Sequence, residues 1–466
     1  MFIGLIVIYL FAPLALGSNR DWAWMLDGAG CFLLLIMAGI LFLFNKIRIS
    51  PACLSSAGRL SLGFFLLAVL WQWIQTIYIP FDVLSFADLP SKPLYSEAYT
   101  IVNHKELSGQ WAISVDTGIS RKIALRSTYY GCLFILLLML IDTRKRLLIF
   151  CYVLLFSGLF QAVFGSAMVL SGMEYLLGQQ KTYYRGFATG TFVNRNHFAG
   201  YLEMTLAIGI GLLMVTKERV HASYNTHWRS HLRRGLEVIL SEKAVLRLSL
   251  VIMVIGLILS RSRMGNAAFF NSLLIISLFS VAASSSFRKL PFYLLVLSIL
   301  AIDIFLLGSW FGLDKLVARL EQTHLTTEQR VDVDQAITPL LKHYFWVGSG
   351  GGTFQYVFPN FLNGPLAGYD HAHNDYLELL SDLGIIGCLP LLGLVILGLW
   401  QAIRALRNRQ SSLLRGIGFT SVMGIISLLI HSAVDFNLQI PANAMVFIAL
   451  LALPIIAVSI ERKAHA

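Results

Sequence analysis

Apolar residues in this chain run in long blocks, not in the alternation of a strand or the narrow stripe of a surface helix. The blocks lie near 2–16, 22–44, 60–79, 127–141, 147–172, 198–216, 248–260, 264–283, 291–310, 383–403, 417–434 and 442–460. Segments of this kind cross hydrocarbon as helices, because a helix satisfies its own backbone N–H and C=O groups where no water is present. The expected fold is therefore all-α: one polytopic membrane domain over residues 1–466, with about twelve transmembrane helices. The first block ends in Ala15-Leu16-Gly17, as a signal peptide does, but no basic residues precede it, so it is expected to stay as a helix.

The polar positions between the blocks set the orientation. With the N-terminus in the cytoplasm, the inner loops hold Lys46, Arg48 and Arg59, then Arg144, Lys145 and Arg146. They also hold the 217–247 stretch, Arg288 and Lys289, the arginines at 404, 407, 409 and 415, and finally Arg462 and Lys463. These loops contain 21 of the 36 Lys and Arg residues, the bias that marks cytoplasmic loops, and both termini fall inside. The opposite face carries two long segments, 81–126 and 309–383. The second reads as an amphipathic helix around Leu313, Leu316, Val317 and Leu320, then a glycine turn at 348–352 and an aromatic stretch at 354–361. An ordered loop of that size at a membrane surface is where chemistry is expected.

Composition agrees with this picture: 57% of the residues are hydrophobic and 13% charged, and the mean hydropathy is +0.71. An ordinary soluble enzyme carries about twice that charged fraction, roughly 25%. The net charge of +11 would suggest nucleic acid in a soluble domain; here it reflects topology, with the 217–247 stretch and its Trp228 on the anionic inner leaflet and no nucleic-acid partner. Of the five cysteines, Cys31, Cys132, Cys151 and Cys388 sit in apolar blocks and Cys53 in a short basic loop; no C-x-x-C pair occurs. Neither a disulfide framework nor a cysteine metal site is expected. The 348–352 glycines are not followed by Gly-Lys-Ser/Thr, which argues against a nucleotide.

Candidate chemistry gathers in the outer segments. Within His371-Ala372-His373-Asn374-Asp375-Tyr376-Leu377-Glu378, helical spacing would align His371, Asp375, Glu378 and Asp382 on one stripe, with His373 turned toward Tyr376 and Leu377. A carboxylate one turn from a histidine orients the imidazole and raises its basicity, as a general base requires. The alternative is a polar stripe that only caps and solvates the start of the tenth span. The H-x-H-x-D spacing also invites a metal, but Tyr376 stands where a further histidine would be needed and no second ligand cluster completes a shell, so no metal is expected. Two more outer turns carry arginines: Arg185 through Arg195-Asn196-His197, leading into the sixth span, and Ser260-Arg261-Ser262-Arg263-Met264-Gly265. Four arginines beside small residues suit a phosphate or diphosphate; the simpler reading is lipid headgroup anchoring. Asp27, Asp303 and Glu203 lie inside apolar blocks, where carboxylates mark ion paths or structural hydrogen bonds.

Together these motifs resemble the O-antigen ligase and polymerase superfamily of bacterial inner-membrane glycan transferases. The resemblance rests on residues 189–200 (TGTFVNRNHFAG), 260–265, the 348–354 turn followed by 371–387, and His431-Ser432-Ala433-Val434-Asp435-Phe436-Asn437-Leu438. It implies transfer of a glycan from undecaprenyl diphosphate, on the periplasmic face, without metal, nucleotide or other cofactor. The acceptor is lipid A-core in ligases, a second lipid-linked glycan in polymerases and a protein in O-oligosaccharyltransferases. On that basis the base is His373 or His371: the motif favours His373, which directly precedes Asn374, and the carboxylate stripe favours His371. Arg195 and Arg263 match the diphosphate-binding motifs, Arg185 and Arg261 flank them, and Asn374, Asp375 and Asp435 are supporting residues. The expected function is an O-antigen ligase-like glycosyltransferase, with membrane lipids as further partners. The alternative from a different class is a lipid-linked glycan transporter or flippase, using Asp27, Asp303 and a basic cavity.

Overall fold

The computed structural model describes residues 1–46, 50–80, 90–102, 110–176, 178–216, 241–282, 337–361, 370–408 and 410–465. The long helices are α1 (Phe2–Leu14), α2 (Asp21–Leu43), α3 (Ser56–Ile74), α4 (Thr117–Leu140), α5 (Arg144–Ser171) and α6 (Arg195–Val215). They continue with α7 (Glu242–Leu259), α8 (Arg263–Ala282), α9 (Asp375–Leu406), α10 (Ser412–Ser432) and α11 (Pro441–His465). Among the described residues eight of these helices are long and apolar enough to cross a membrane, and α1 and part of α8 are shorter apolar helices. The protein is thus an all-α, multi-pass membrane protein. The block at 291–310, the amphipathic stretch at 313–320, Asp303 and the 217–240 part of the basic loop lie outside the described residues.

Local chemistry explains where the helices begin. Ser55, Asp116, Thr143, Asn194, Ser241, Asn374 and Ser411 each accept a hydrogen bond from a backbone N–H of the following turn. These bonds satisfy donors that a helix N-terminus otherwise leaves open. The Ser241 cap starts α7 ahead of its apolar block, and the Asn374 cap starts α9 eight residues before the expected 383.

Helices α6, α10 and α11 form the inside of the bundle and are buried over most of their length, whereas α2, α3 and α9 turn much of their apolar surface outward. The α6–α10 crossing is close because Gly211 and Gly416 face each other's backbones, and Thr420 adds a 3.3 Å hydrogen bond to the Ala207 carbonyl. Small residues permit such approaches where lipid gives no hydrophobic drive for association. A second tie is polar: His431 Nδ1 on α10 lies 2.8 Å from Glu203 Oε1 on α6, and Ser427 donates to the other carboxylate oxygen at 2.8 Å. The pair is fully buried, so neither group can be left alone without leaving an uncompensated polar group in the core. Asp27 likewise accepts from Ser18, at 2.6 Å.

Helix α9 is broken at Gly384, whose backbone (φ 62°, ψ 179°) is non-helical. The break frees carbonyls that the glycine turn takes up: Ser349 N–H donates to Ser381 O at 2.8 Å and Gly350 N–H to Asp382 O at 2.9 Å. Trp71 donates to Leu383 O at 2.7 Å, and Gln75 bridges Val347 O and Asp382 O. The Asp382 carboxylate accepts from the N–H groups of Gly352 and Phe354. The 348–352 glycines are therefore a docking turn for the helix break, and they hold the first two turns of α9 in place. A small apolar core of Ile337, Leu340, Tyr344, Phe354, Val357 and Phe358 backs this turn.

Candidate functional site

Three segments converge at one end of the bundle: residues 370–378 leading into α9, the first turn of α6 with its preceding loop, and the link from α10 to α11. Phe436 is at the centre. The His371 ring stacks on it at 4.1 Å, and His197 and His373 meet it edge-on at 4.6 and 5.1 Å. The neighbouring Asp435 is buried, with Oδ1 3.7 Å from His373 Nδ1 and 3.9 Å from His197 Nε2. Its Oδ2 lies 4.0 Å from His431 Nε2. A chain of ionisable groups thus runs from the exposed His373 through Asp435 and His431 to Glu203. Burial by itself would raise the Asp435 carboxyl; the imidazoles of His373, His197 and His431 and the Phe436 N–H hold it well below the usual carboxylate range.

The expected stripe on α9 is not what the chain forms. Asn374 is the N-cap, accepting from the N–H groups of Tyr376 and Leu377, so His371 and His373 precede the helix and helical spacing does not govern them. Asp375 accepts from Leu438 N–H at 2.9 Å, and Asp382 points into the glycine turn. The partner of His371 is Glu378: Nδ1 lies 2.8 Å from Oε1, and Ala372 N–H donates to Oε2 at 3.0 Å. Burial would lower the His371 pKa, but the hydrogen bond and charge of Glu378, with Asp370, carry it above the ordinary histidine value. His373 does not turn toward Tyr376 and Leu377. It takes the left-handed backbone (φ 49°), and its side chain is 53% exposed beside Asp435. Left-handed backbone in a non-glycine residue is a strained conformation that clusters at functional sites. Because His371, His373 and Asp375 turn to three different partners, the H-x-H-x-D spacing does not gather a ligand set. Among the described residues no three His, Cys, Asp or Glu side chains are grouped to hold a metal.

The arginines adjoin this cluster through α6, where Arg195 and His197 are two residues apart. The Arg195 guanidinium lies 4.4 Å from the Phe187 ring and 5.7 Å from that of Tyr184, and Arg261 lies 5.4 Å from the same Phe187 ring. Cation–π contacts of this kind hold two like charges beside one ring. Phe187 is itself held by an ion pair of buried Lys181 and half-buried Glu174: Lys181 Nζ lies 2.8 Å from Glu174 and donates to Phe187 O at 2.9 Å. Burial alone would raise Glu174, but Lys181 and the Gly186 N–H bring its pKa below the usual range. Burial raises the Tyr184 hydroxyl; Arg195 opposes that shift and Asp435 adds to it, so Tyr184 lies within the field of both halves of the site. Arg185 donates from Nε to Lys181 O and is exposed, and Arg263 opens α8, also exposed. Arg261 and Tyr184 are left-handed as well, at φ 50° and 56°.

Sequence reasoning brought forward the histidines and arginines but not His197, Phe436 or the Glu203–His431 pair. A signal existed for the pair: a carboxylate inside an apolar block requires a partner, and His431 is the one histidine of the 417–434 block. For Phe436 the only signal is its place in the 431–438 motif, and an aromatic residue among 31 phenylalanines does not announce what stacks on it.

Residues 248–392 match the family model described as O-antigen ligase. The match includes the Arg261–Arg263 turn, the glycine turn and both loop histidines, and ends before His431 and Asp435. No curated protein matches the chain at a significant level.

Proposed function

We propose that this chain, whose residues 248–392 match the O-antigen ligase family model, transfers a glycan from undecaprenyl diphosphate to a hydroxyl of lipid A-core on the periplasmic face of the bacterial inner membrane. The observation that carries the reading is one juxtaposition: an exposed histidine against a buried carboxylate, next to two arginines held on one aromatic ring. His373 is the base, because His371 is already engaged with Glu378 and stacked on Phe436. An acceptor hydroxyl is a weak nucleophile until a base takes its proton. As His373 accepts that proton, the acceptor oxygen bonds to the anomeric carbon and the bond from that carbon to the phosphate oxygen breaks. Asp435 stabilises the imidazolium formed. Undecaprenyl diphosphate leaves with added negative charge, which Arg195 and Arg261 neutralise in place, with Arg185 and Arg263 at the edge.

The test is transfer by purified protein in nanodiscs, supplied with undecaprenyl diphosphate-linked glycan and lipid A-core, with EDTA and without nucleotide. Wild type is expected to form product and His373→Ala to form none while unfolding at the wild-type temperature. Full turnover by His373→Ala overturns the assignment of the base, and chain growth on donor alone moves the reading to a polymerase.

A further inference from the structure

A groove of about 530 Å³ runs down the bundle between α3, α4, α9 and α11. That volume is within the roughly 300–1,000 Å³ usual for small-ligand sites. Its long part is apolar, with Phe65 and Ala68 on α3, Leu392 on α9, and Ile448 and Leu451 on α11. Its end nearest the histidines is polar. Arg126 lines it there, its guanidinium set by bonds to the Gln439 side chain at 3.1 Å and main chain at 3.4 Å. Ser127 and Gln72 join at 2.7 Å beside it. One turn further along α4, Tyr130 lines the groove with a buried hydroxyl that has no hydrogen-bond partner among the described residues. Asp382 also borders the groove, but its carboxylate is occupied by the Gly352 and Phe354 N–H groups.

A cationic head end above an apolar shaft matches an amphiphile with an anionic head. The place matters too. Gln439, which holds Arg126, is three residues beyond Phe436, and the charge of Arg126 is felt at His371. The Arg195–Arg261 pair belongs to α6, its preceding loop and the α7–α8 turn, elements that do not line the groove. The histidines therefore have one anion-binding arrangement on the α6 side and another on the α4 side. We propose that the groove seats one acyl chain of the acceptor's lipid anchor, with that chain along the shaft and a headgroup phosphate at Arg126. This rests on the ligase reading above, in which the diphosphate of the donor takes Arg195 and Arg261.

The test uses the full chain in phosphatidylcholine nanodiscs with two probes, a phosphorylated lipid A-core and an undecaprenyl diphosphate-linked glycan, each carrying a diazirine in its hydrocarbon. The lipid A-core probe is expected to label α4, α9 and α11 in wild type, and to lose at least tenfold in yield in Arg126→Ala and in the groove-filling Leu392→Trp. A dephosphorylated lipid A-core is expected to label poorly. In transfer assays Arg126→Ala is expected to raise the acceptor KM about tenfold with the donor KM unchanged. Labelling that ignores Arg126→Ala, equal labelling by the dephosphorylated lipid, or the diphosphate-linked probe in the groove overturns the proposal. Because labelling needs no turnover, a protein that fills the groove as expected but makes no product would reject the ligase reading and not the site.

Discussion

At the scale of single residues, the two histidines differ by what surrounds them. His371 is clamped between Glu378 and Phe436, and its folded pKa lies above its ordinary value of about 6.5. A raised imidazole pKa stabilises the fold fully below the unfolded value and loses that contribution as pH rises through the folded one. Replacement of Glu378 in Glu378→Gln is therefore expected to lower the melting temperature more at pH 5 than at pH 9, and to move the His371 titration, read by NMR on labelled histidine, to lower pH. An unchanged His371 titration would show that Glu378 is not its partner. Asn374 works by capping, and a lost cap of this type costs about 1 kcal/mol.

At the scale of elements, the break in α9 decides where the glycine turn docks. Gly384 adopts a backbone region that is open essentially to glycine alone, and a Cβ there would run into the Trp346 carbonyl and the Gly348 nitrogen. Gly384→Ala is expected to destabilise by about 1–3 kcal/mol from backbone strain, and by more once the clash is added. Transfer is expected to fall with it, because the glycine turn can no longer dock on Ser381 and Asp382. Thermal unfolding and turnover measured on one preparation check this, and a variant with wild-type values of both would remove the break from the account.

At the scale of the whole molecule, the site exists only where α6, α9 and the α10–α11 link meet. Arg195 enters from α6, so its variants report on that meeting. Arg195→Ala is expected to raise the donor KM about ten- to hundredfold, in line with about 1.5–3 kcal/mol for a hydrogen bond to a charged group. Arg195→Lys should recover only part of this, because an ammonium lacks the planar fork that grips a diphosphate and stacks on Phe187. Steady-state kinetics with the acceptor saturating measure both, and a donor KM at the wild-type value in Arg195→Ala would count against the diphosphate assignment.

Much of the architecture was legible in the chain itself. Apolar blocks become helices wherever water is excluded, so the positions of α1 to α11 follow from the blocks, and side-chain caps such as Ser241 and Asn374 shift only their ends. The residue types of the site were legible because histidines and arginines cluster in short turns on the face where orientation asks for no positive charge. The tertiary structure alone decided the pairings. Glu378 rather than Asp375 meets His371, Asp435 meets His373 from a segment some sixty residues away, and Phe436 gathers three imidazoles. Periodicity relates residues one or two turns apart on a continuous helix. It does not reach past the helix start at Asn374, the left-handed turn at His373 or the packing of α6 on α10, where those partners are chosen.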